Sequence, residues 1–465
     1  MKACFVLLCA MLAGFVAFAS VVTYPAPAAE PLSPDYQVSA DGQKVDVYTT
    51  RVLYSPFTNK QRDDYGGNYA FANFDLSGTA TMHITSTRSL HNVVVRPTNA
   101  NVKWRLENDH TLVVTLTGPA KLSIEPEGKK GPLLLFANPL EENPPLNSSP
   151  GVIYFGPGIH VADRIDLTNN QTLYLAGGAV VKGGVVAHGE NIRILGRGIL
   201  DGSDWPWLKG PTPDVIYIHG RNVEVNGITI RGAPHWTIVP DAGQHVIIRN
   251  VKVCGSRVQN DDGIDVCNSQ YVLVSDCFIR SDDDCIALKG INLDVPKNNV
   301  ERITIENSVL WCDRARIVLL GHESRAKFMC EITMRNLDII HFAMVPFLLE
   351  PGEEMRLQEV DIEGVRVYGE GQVEFIRIKP TVNQYMHKKV PGHVLDVHFR
   401  DLALSGEPGA YQVQILGADA QHKVEGVTFE NIVICGEKLT ANSARVHIGG
   451  HVENITFDAP AFQKK

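Results

Sequence analysis

The chain is short of positive charge, of cysteine motifs and of long apolar runs, and each shortage removes a class of function. Its 43 Lys and Arg against 52 Asp and Glu leave a formal charge of −9, which argues against nucleic acid or an anionic membrane as partner. Nine cysteines are present, two of them at positions 4 and 9, and the other seven include no CxxC pair. Cys254, Cys267, Cys277, Cys285, Cys312, Cys330 and Cys435 are therefore a poor zinc framework. One or two disulfides, or buried unpaired thiols, fit them better. No apolar run beyond the N-terminus is long enough to span a bilayer.

The one apolar run, residues 3–18 after Lys2, ends in Ala17-Phe18-Ala19. This pattern predicts a signal peptide over 1–19 and a secreted chain, extracellular or periplasmic. Residues 20–35 read as a flexible segment.

What is abundant is turn material, with 40 glycines and 26 prolines. From about residue 170 a pattern recurs, apolar-x-apolar-x-(Asn/Gly/Asp)-apolar-x-apolar, as in Val-Ile-Ile-Arg-Asn-Val-Lys-Val at 246–253. Its turn residue falls at Gly227, Asn250, Asp276, Asn307, Asn336, Gly364, Asp401 and Asn431, at intervals of 23 to 37 residues. Apolar alternation supplies an inward face, and Asn, Gly or Asp can take a left-handed corner between short strands. A period of this size without helical patterning predicts a parallel β-helix. Residues 36–137 alternate without a fixed period, which predicts a small antiparallel β-sandwich-like domain. A proline-rich linker at 138–150 would separate it from the β-helix at 151–465. The fold class expected is thus all-β, with the solenoid carrying the chemistry and the chain acting as a monomer.

That chemistry centres on Asn260-Asp261-Asp262-Gly263-Ile264-Asp265 and Ser281-Asp282-Asp283-Asp284-Cys285. Asp283 and Asp284 follow Asp262 at 21 and 22 residues, one coil on. Neighbouring strands lie about 4.8 Å apart, so several carboxylates would crowd one patch, and at least one pKa must rise. A glycosidase needs such a split, with one carboxyl protonated for the leaving oxygen and one ionised for water or the sugar. Asp residues capping turns, or a calcium site, are the competing readings.

At these residues the chain resembles glycoside hydrolase family 28, the polygalacturonases and their relatives. Asn260-Asp261-Asp262 is similar to the family's Asn-Thr-Asp motif, with Asp261 in place of threonine. Asp283-Asp284 is similar to its Asp-Asp motif, and the Ala-Pro-His-Trp-Thr-Ile run at 233–238 resembles its Ser-Pro-x-Trp-x-Ile segment. The resemblance implies a right-handed β-helix, Asp283 as general acid, Asp262 and Asp284 on the water, and inversion. Carboxyls one coil apart would by themselves suggest retention.

Two other family motifs are displaced. Gly321-His322-Glu323 lies a few residues past the expected Gly-His-Gly, and His322 could contact sugar from there. Arg377-Ile378-Lys379 lies nearer two coils than one beyond His322, and the expected position holds Glu350 at the end of a Phe-Leu-Leu-Glu run. Glu350 would repel a uronate. A second resemblance, to the clan's dextranase and isopullulanase family 49, fits a leading β-sandwich and a neutral glucan.

Lys289 and Arg316 are candidate basic contacts to the sugar, and Trp236, with Trp205 and Trp207, offers flat faces for it. The expected partner is a polysaccharide or oligosaccharide of pectin or neutral-glucan type, with no cofactor and no metal required. A calcium-dependent polysaccharide lyase and a non-catalytic carbohydrate-binding β-helix are the alternatives.

Overall fold

A computed structural model describes residues 20–52, 66–100, 102–292 and 298–458. The expected signal peptide lies outside the described residues. No helix occurs among them, and none is long and apolar enough to cross a membrane.

The chain is all-β. A right-handed parallel β-helix of 27 strands runs from Val152–Phe155 to Val452–Phe457. Its strands pair in parallel from coil to coil, with one antiparallel exception among them at Glu437–Lys438. Inward residues of successive coils stack into a continuous core of Val, Ile and Leu, for example Val246, Val272, Ile303, Ile332 and Val360.

The corners follow the sequence pattern residue by residue. Asn250, Asp276, Asn307, Asn336, Asp401 and Asn431 all have φ between 51° and 55°, and Gly227 and Gly364 are also left-handed. Asn and Asp tolerate this region because their short side chains bond locally. Here they bond between coils: Asn336 Nδ2 donates to Asn307 Oδ1 at 2.7 Å.

Two sheets precede the solenoid, one of six strands and one of five. Their facing sides enclose a separate core that includes Val38, Phe74, Met82, Ile84, Val114 and Ile124. Two details differ from expectation. Ser20–Thr23 is not a loose segment but pairs antiparallel with Gly67–Ser77. The sandwich is also not wholly antiparallel, because Leu133–Asn138 lies parallel to the same strand.

The outer face of that six-stranded sheet packs on the solenoid. Tyr48, Phe71 and Phe136 meet Cys254, Phe278 and Trp311 in a third apolar cluster. Across this seam Tyr69 Oη donates to Gly255 O at 2.7 Å, and Arg197 Nε pairs with Asp75 Oδ1 at 2.7 Å with both side chains buried. The seam meets the solenoid at Gly255, the first residue of the loop that leads from strand Lys252–Cys254 to Asp261.

All seven described cysteines are free, and six of them are buried. They act as small apolar residues with weak S–H bonds: Cys285 Sγ donates to Trp311 O at 3.0 Å.

Candidate active site

Both aspartate clusters occupy the same corner of successive coils. Strand Ile264–Cys267 pairs in parallel with Ile286–Lys289, placing Ile264 opposite Ile286. Just before it, Gly263 N–H donates to Asp284 O at 2.8 Å. The register therefore sets Asp262 against Asp284, so of the two spacings open in the sequence the longer one is the coil. The coil after places Ile286 opposite Val318, which brings Arg314 and Arg316 beside Asp282 and Asp284.

Asp262, Asp283 and Asp284 each present an oxygen within 4.8 Å of the others. Asp262 and Asp284 are buried, at 3% and 1% exposure, while Asp283 is partly exposed. An oxygen triad of this kind could hold a hard cation as well as perform acid/base work.

Asp261 and Asp282 have a different task. Asp261 accepts the backbone N–H of Arg257 and of Asp282, each at 2.7 Å. It ties the two coils together at the corner, so the aspartate that departs from the family's threonine is a positioning residue. Arg314 spans Asp282 at 2.6 Å and Asp283 at 2.8 Å. Arg316 Nη2 donates to Asp284 Oδ2 at 2.8 Å, and its Nε lies 2.8 Å from Oδ1 as an ion pair.

Lys289 is the centre of the cluster rather than its rim. Its ammonium lies 2.8 Å from Asp265, 3.5 Å from Asp262 and 3.6 Å from Glu323. It also sits 3.8 Å from the ring centroid of Trp236, a cation–π contact. Trp236 stacks in turn on His235, whose Nδ1 lies 2.9 Å from buried Asp214.

Three expected sugar contacts are thus engaged elsewhere. Lys289 is 2% exposed and neutralises the cluster, Arg316 holds Asp284, and one face of Trp236 carries the Lys289 ammonium. His322 is half-buried, with Nδ1 3.3 Å from Glu350 Oε2 and with Asn383 donating to its carbonyl at 2.8 Å. Gly321 pairs with Glu350, and Leu349 with Ile378. Arg377 is therefore two coils beyond the His322 strand, where it pairs with Glu350 at 3.3 Å and Glu374 at 3.1 Å. Trp205 and Trp207 are half-buried, and Arg257 ties the Trp205 carbonyl to the loop before Asp261.

Sequence reasoning did not single out Asp214, Arg314 or Glu323 for this cluster. Arg314 alone left a signal, since it stands one coil after Asp282. Nothing in the spacing points to Asp214.

The electrostatics follow from crowding under burial. Desolvation pushes the Asp262 carboxyl well above the usual range, and Asp265 adds repulsion that Lys289 only partly offsets. Asp265 is raised to about 7, by burial first, against the pull of Lys289. Asp284 is raised to about 6 by burial, against Arg316. Such carboxyls titrate as a set, which keeps protons in the cluster near neutral pH.

A stability consequence has a definite sign. In the unfolded chain these groups ionise near their ordinary values, about 3.9 for aspartate, so the native state binds more protons between about pH 4 and 7. Stability then falls as pH rises through that window. Thermal midpoints recorded against pH should show this decline in the native chain and a shallower one in Asp265→Asn.

A model of the glycosyl hydrolases family 28 matches residues 181–304, the stretch that carries both aspartate clusters. Isopullulanase from Aspergillus niger is 24% identical over 353 residues, 62% of this chain and 60% of that protein. A probable polygalacturonase from Vitis vinifera is 26% identical over 30% of each chain. The chain thus spans less than two thirds of the curated relatives it matches. Among solved structures, Dex49A from Penicillium minioluteum superposes with a TM-score of 0.69 at 17% identity, covering 94% of this chain and 96% of its own. That likeness extends to the leading β domain as well as the solenoid. The chain is accordingly similar to glycoside hydrolase family 28 over the stretch that carries the aspartates, and shares its overall fold with Dex49A.

Proposed function

We propose that the chain is a secreted glycoside hydrolase that cleaves a neutral glucan, with Asp262, Asp283 and Asp284 carrying the reaction. The observation behind the substrate is the fate of the cations. Lys289, Arg314 and Arg316 are each spent on the site's own carboxylates, and Arg377 is spent on Glu350 and Glu374. Among the described residues of the cluster, no guanidinium or ammonium is left to read a uronate carboxylate, and Glu350 adds negative charge where one would lie. A neutral sugar meets no such repulsion.

In this reading Asp283, the most accessible of the three, donates its proton to the leaving oxygen. Arg314 is drawn aside as the sugar enters. Asp284, poised near pH 6, deprotonates the attacking water, which Asp262 helps to hold. Inversion follows from the family resemblance and fits two carboxyls serving one water rather than a covalent intermediate.

Release of reducing ends should be measured on pullulan, dextran, polygalacturonate and rhamnogalacturonan. The expected result is cleavage of a glucan, at least tenfold faster than either pectic polymer, with the product anomer inverted. Faster cleavage of polygalacturonate would overturn the substrate assignment. An unsaturated, ultraviolet-absorbing product lost on chelation would replace the hydrolase with a calcium-dependent lyase.

A further inference from the structure

Away from the aspartates, three side chains from successive coils converge on one point. Glu354 stands in the turn after strand Val345–Glu350, and His393 opens strand His393–Glu407. His422 lies just before strand Val424–Ile434. The ladder that joins Arg356 to His393 and Val394 to Val424 stacks them. Glu354 N–H donates to Pro391 O at 3.0 Å, and His393 N–H to Met355 O at 2.8 Å, which fixes the backbone beneath two of the three.

We propose that Glu354, His393 and His422 form a binding site for a divalent metal of the zinc class. Both imidazoles aim Nε2 at the same oxygen, Glu354 Oε2, at 3.5 Å for His393 and 3.4 Å for His422. These separations are long for a charge-assisted hydrogen bond, which is about 2.7–2.9 Å. They match the ligand–ligand edge of a tetrahedron about Zn²⁺, which is about 3.3–3.5 Å for bonds near 2.1 Å. One ligand atom from each residue falls within 4.8 Å of the others.

The ring of His422 is also fixed from its far side. Its Nδ1 lies 2.8 Å from both oxygens of Asp419. Asp419 Oδ1 is itself fixed by the N–H of Gln421 at 2.9 Å and of His422 at 3.0 Å. A carboxylate accepts, so Nδ1 donates, and Nε2 is the ring atom left facing Glu354. The carboxylate–histidine arrangement is the one that orients metal-bound imidazoles.

Two nitrogens and one carboxylate select zinc, cobalt or nickel over calcium or magnesium, which prefer all-oxygen shells. The side chains are 55%, 20% and 11% exposed for Glu354, His393 and His422, so the fourth position is open to water. A metal here would clip three coils together and stabilise the native chain by linkage.

The test uses the full-length protein stripped of metal and titrated with Co²⁺, followed by d–d absorption and displacement by Zn²⁺. One equivalent with four- or five-coordinate bands is expected, together with a higher thermal midpoint in zinc. Glu354→Gln and His422→Ala should each lose the bands and the midpoint shift. Asp419→Asn should weaken binding about 10–100-fold, and Asp283→Asn should leave it intact. Because Glu354 is exposed, its glutamine variant tests binding without risk to folding. Absence of stoichiometric Co²⁺, retention in Glu354→Gln, or loss in Asp283→Asn would each overturn the proposal.

Discussion

Asp283→Asn should lower kcat by about 10²–10⁴-fold, the usual worth of a positioned general acid, while the protein stays folded. The asparagine keeps the shape of the side chain, and its carbonyl can still accept from Arg314. Asp283 is also the one member of the triad that is not buried, so the change removes a proton donor without leaving a buried charge unpaired. Reducing-end release under substrate saturation, with a thermal midpoint as control, separates chemistry from folding. Activity within tenfold of the native chain would mean that Asp283 is a turn residue and that the acid lies elsewhere. Retained binding with no activity in either protein would favour a carbohydrate-binding solenoid.

Lys289→Met should cost about 3–5 kcal/mol of stability, the penalty for breaking a buried ion pair by removing one partner. The lysine is 2% exposed and faces Asp262, Asp265 and Glu323 within 3.6 Å. Without it, Asp262 and Asp265, already raised by burial, lose their nearest counter-charge and must take up further protons. Methionine fills the same stem volume, so packing against Trp236 is retained and the loss is electrostatic. Adding Asp265→Asn to Lys289→Met should restore much of the stability, because the bond at 2.8 Å is the closest of the three. Urea unfolding of the two single variants and the double variant gives the coupling directly. Additive effects would show that the pair contributes nothing beyond its separate members.

The solenoid was legible because its period is written in residue type. Each corner needs a left-handed φ, and Asn, Asp or Gly stands at all eight predicted corners. The aspartate triad was legible for the same reason, since one coil of spacing brings side chains into contact. Charge partners were not. Lys289 and Arg316 read as candidate sugar contacts in the sequence, because nothing in a linear pattern says that an outward side chain will be covered. Trp236 read as a sugar platform on its chemistry alone, and only the fold lays Lys289 across it. Ser20–Thr23 carried too few residues to show a strand, and its pairing with Gly67–Ser77 is a long-range choice. The Glu354, His393 and His422 group was invisible because its members fall on three coils with no local motif.

The corners have one more consequence. Their φ is left-handed throughout while the interval between them varies from 23 to 37 residues, so every insertion is absorbed on the remaining sides of the coil. The longest interval, between Gly364 and Asp401, spends its surplus on the stretch before His393. There Asn383 bonds the His322 carbonyl, and the N–H groups of His387 and Lys388 bond Glu353. A coil built this way is a ruler with one edge fixed and the other free to grow. The loops on those sides can be lengthened or trimmed one at a time, while the aspartates keep the spacing that the backbone ladder gives them.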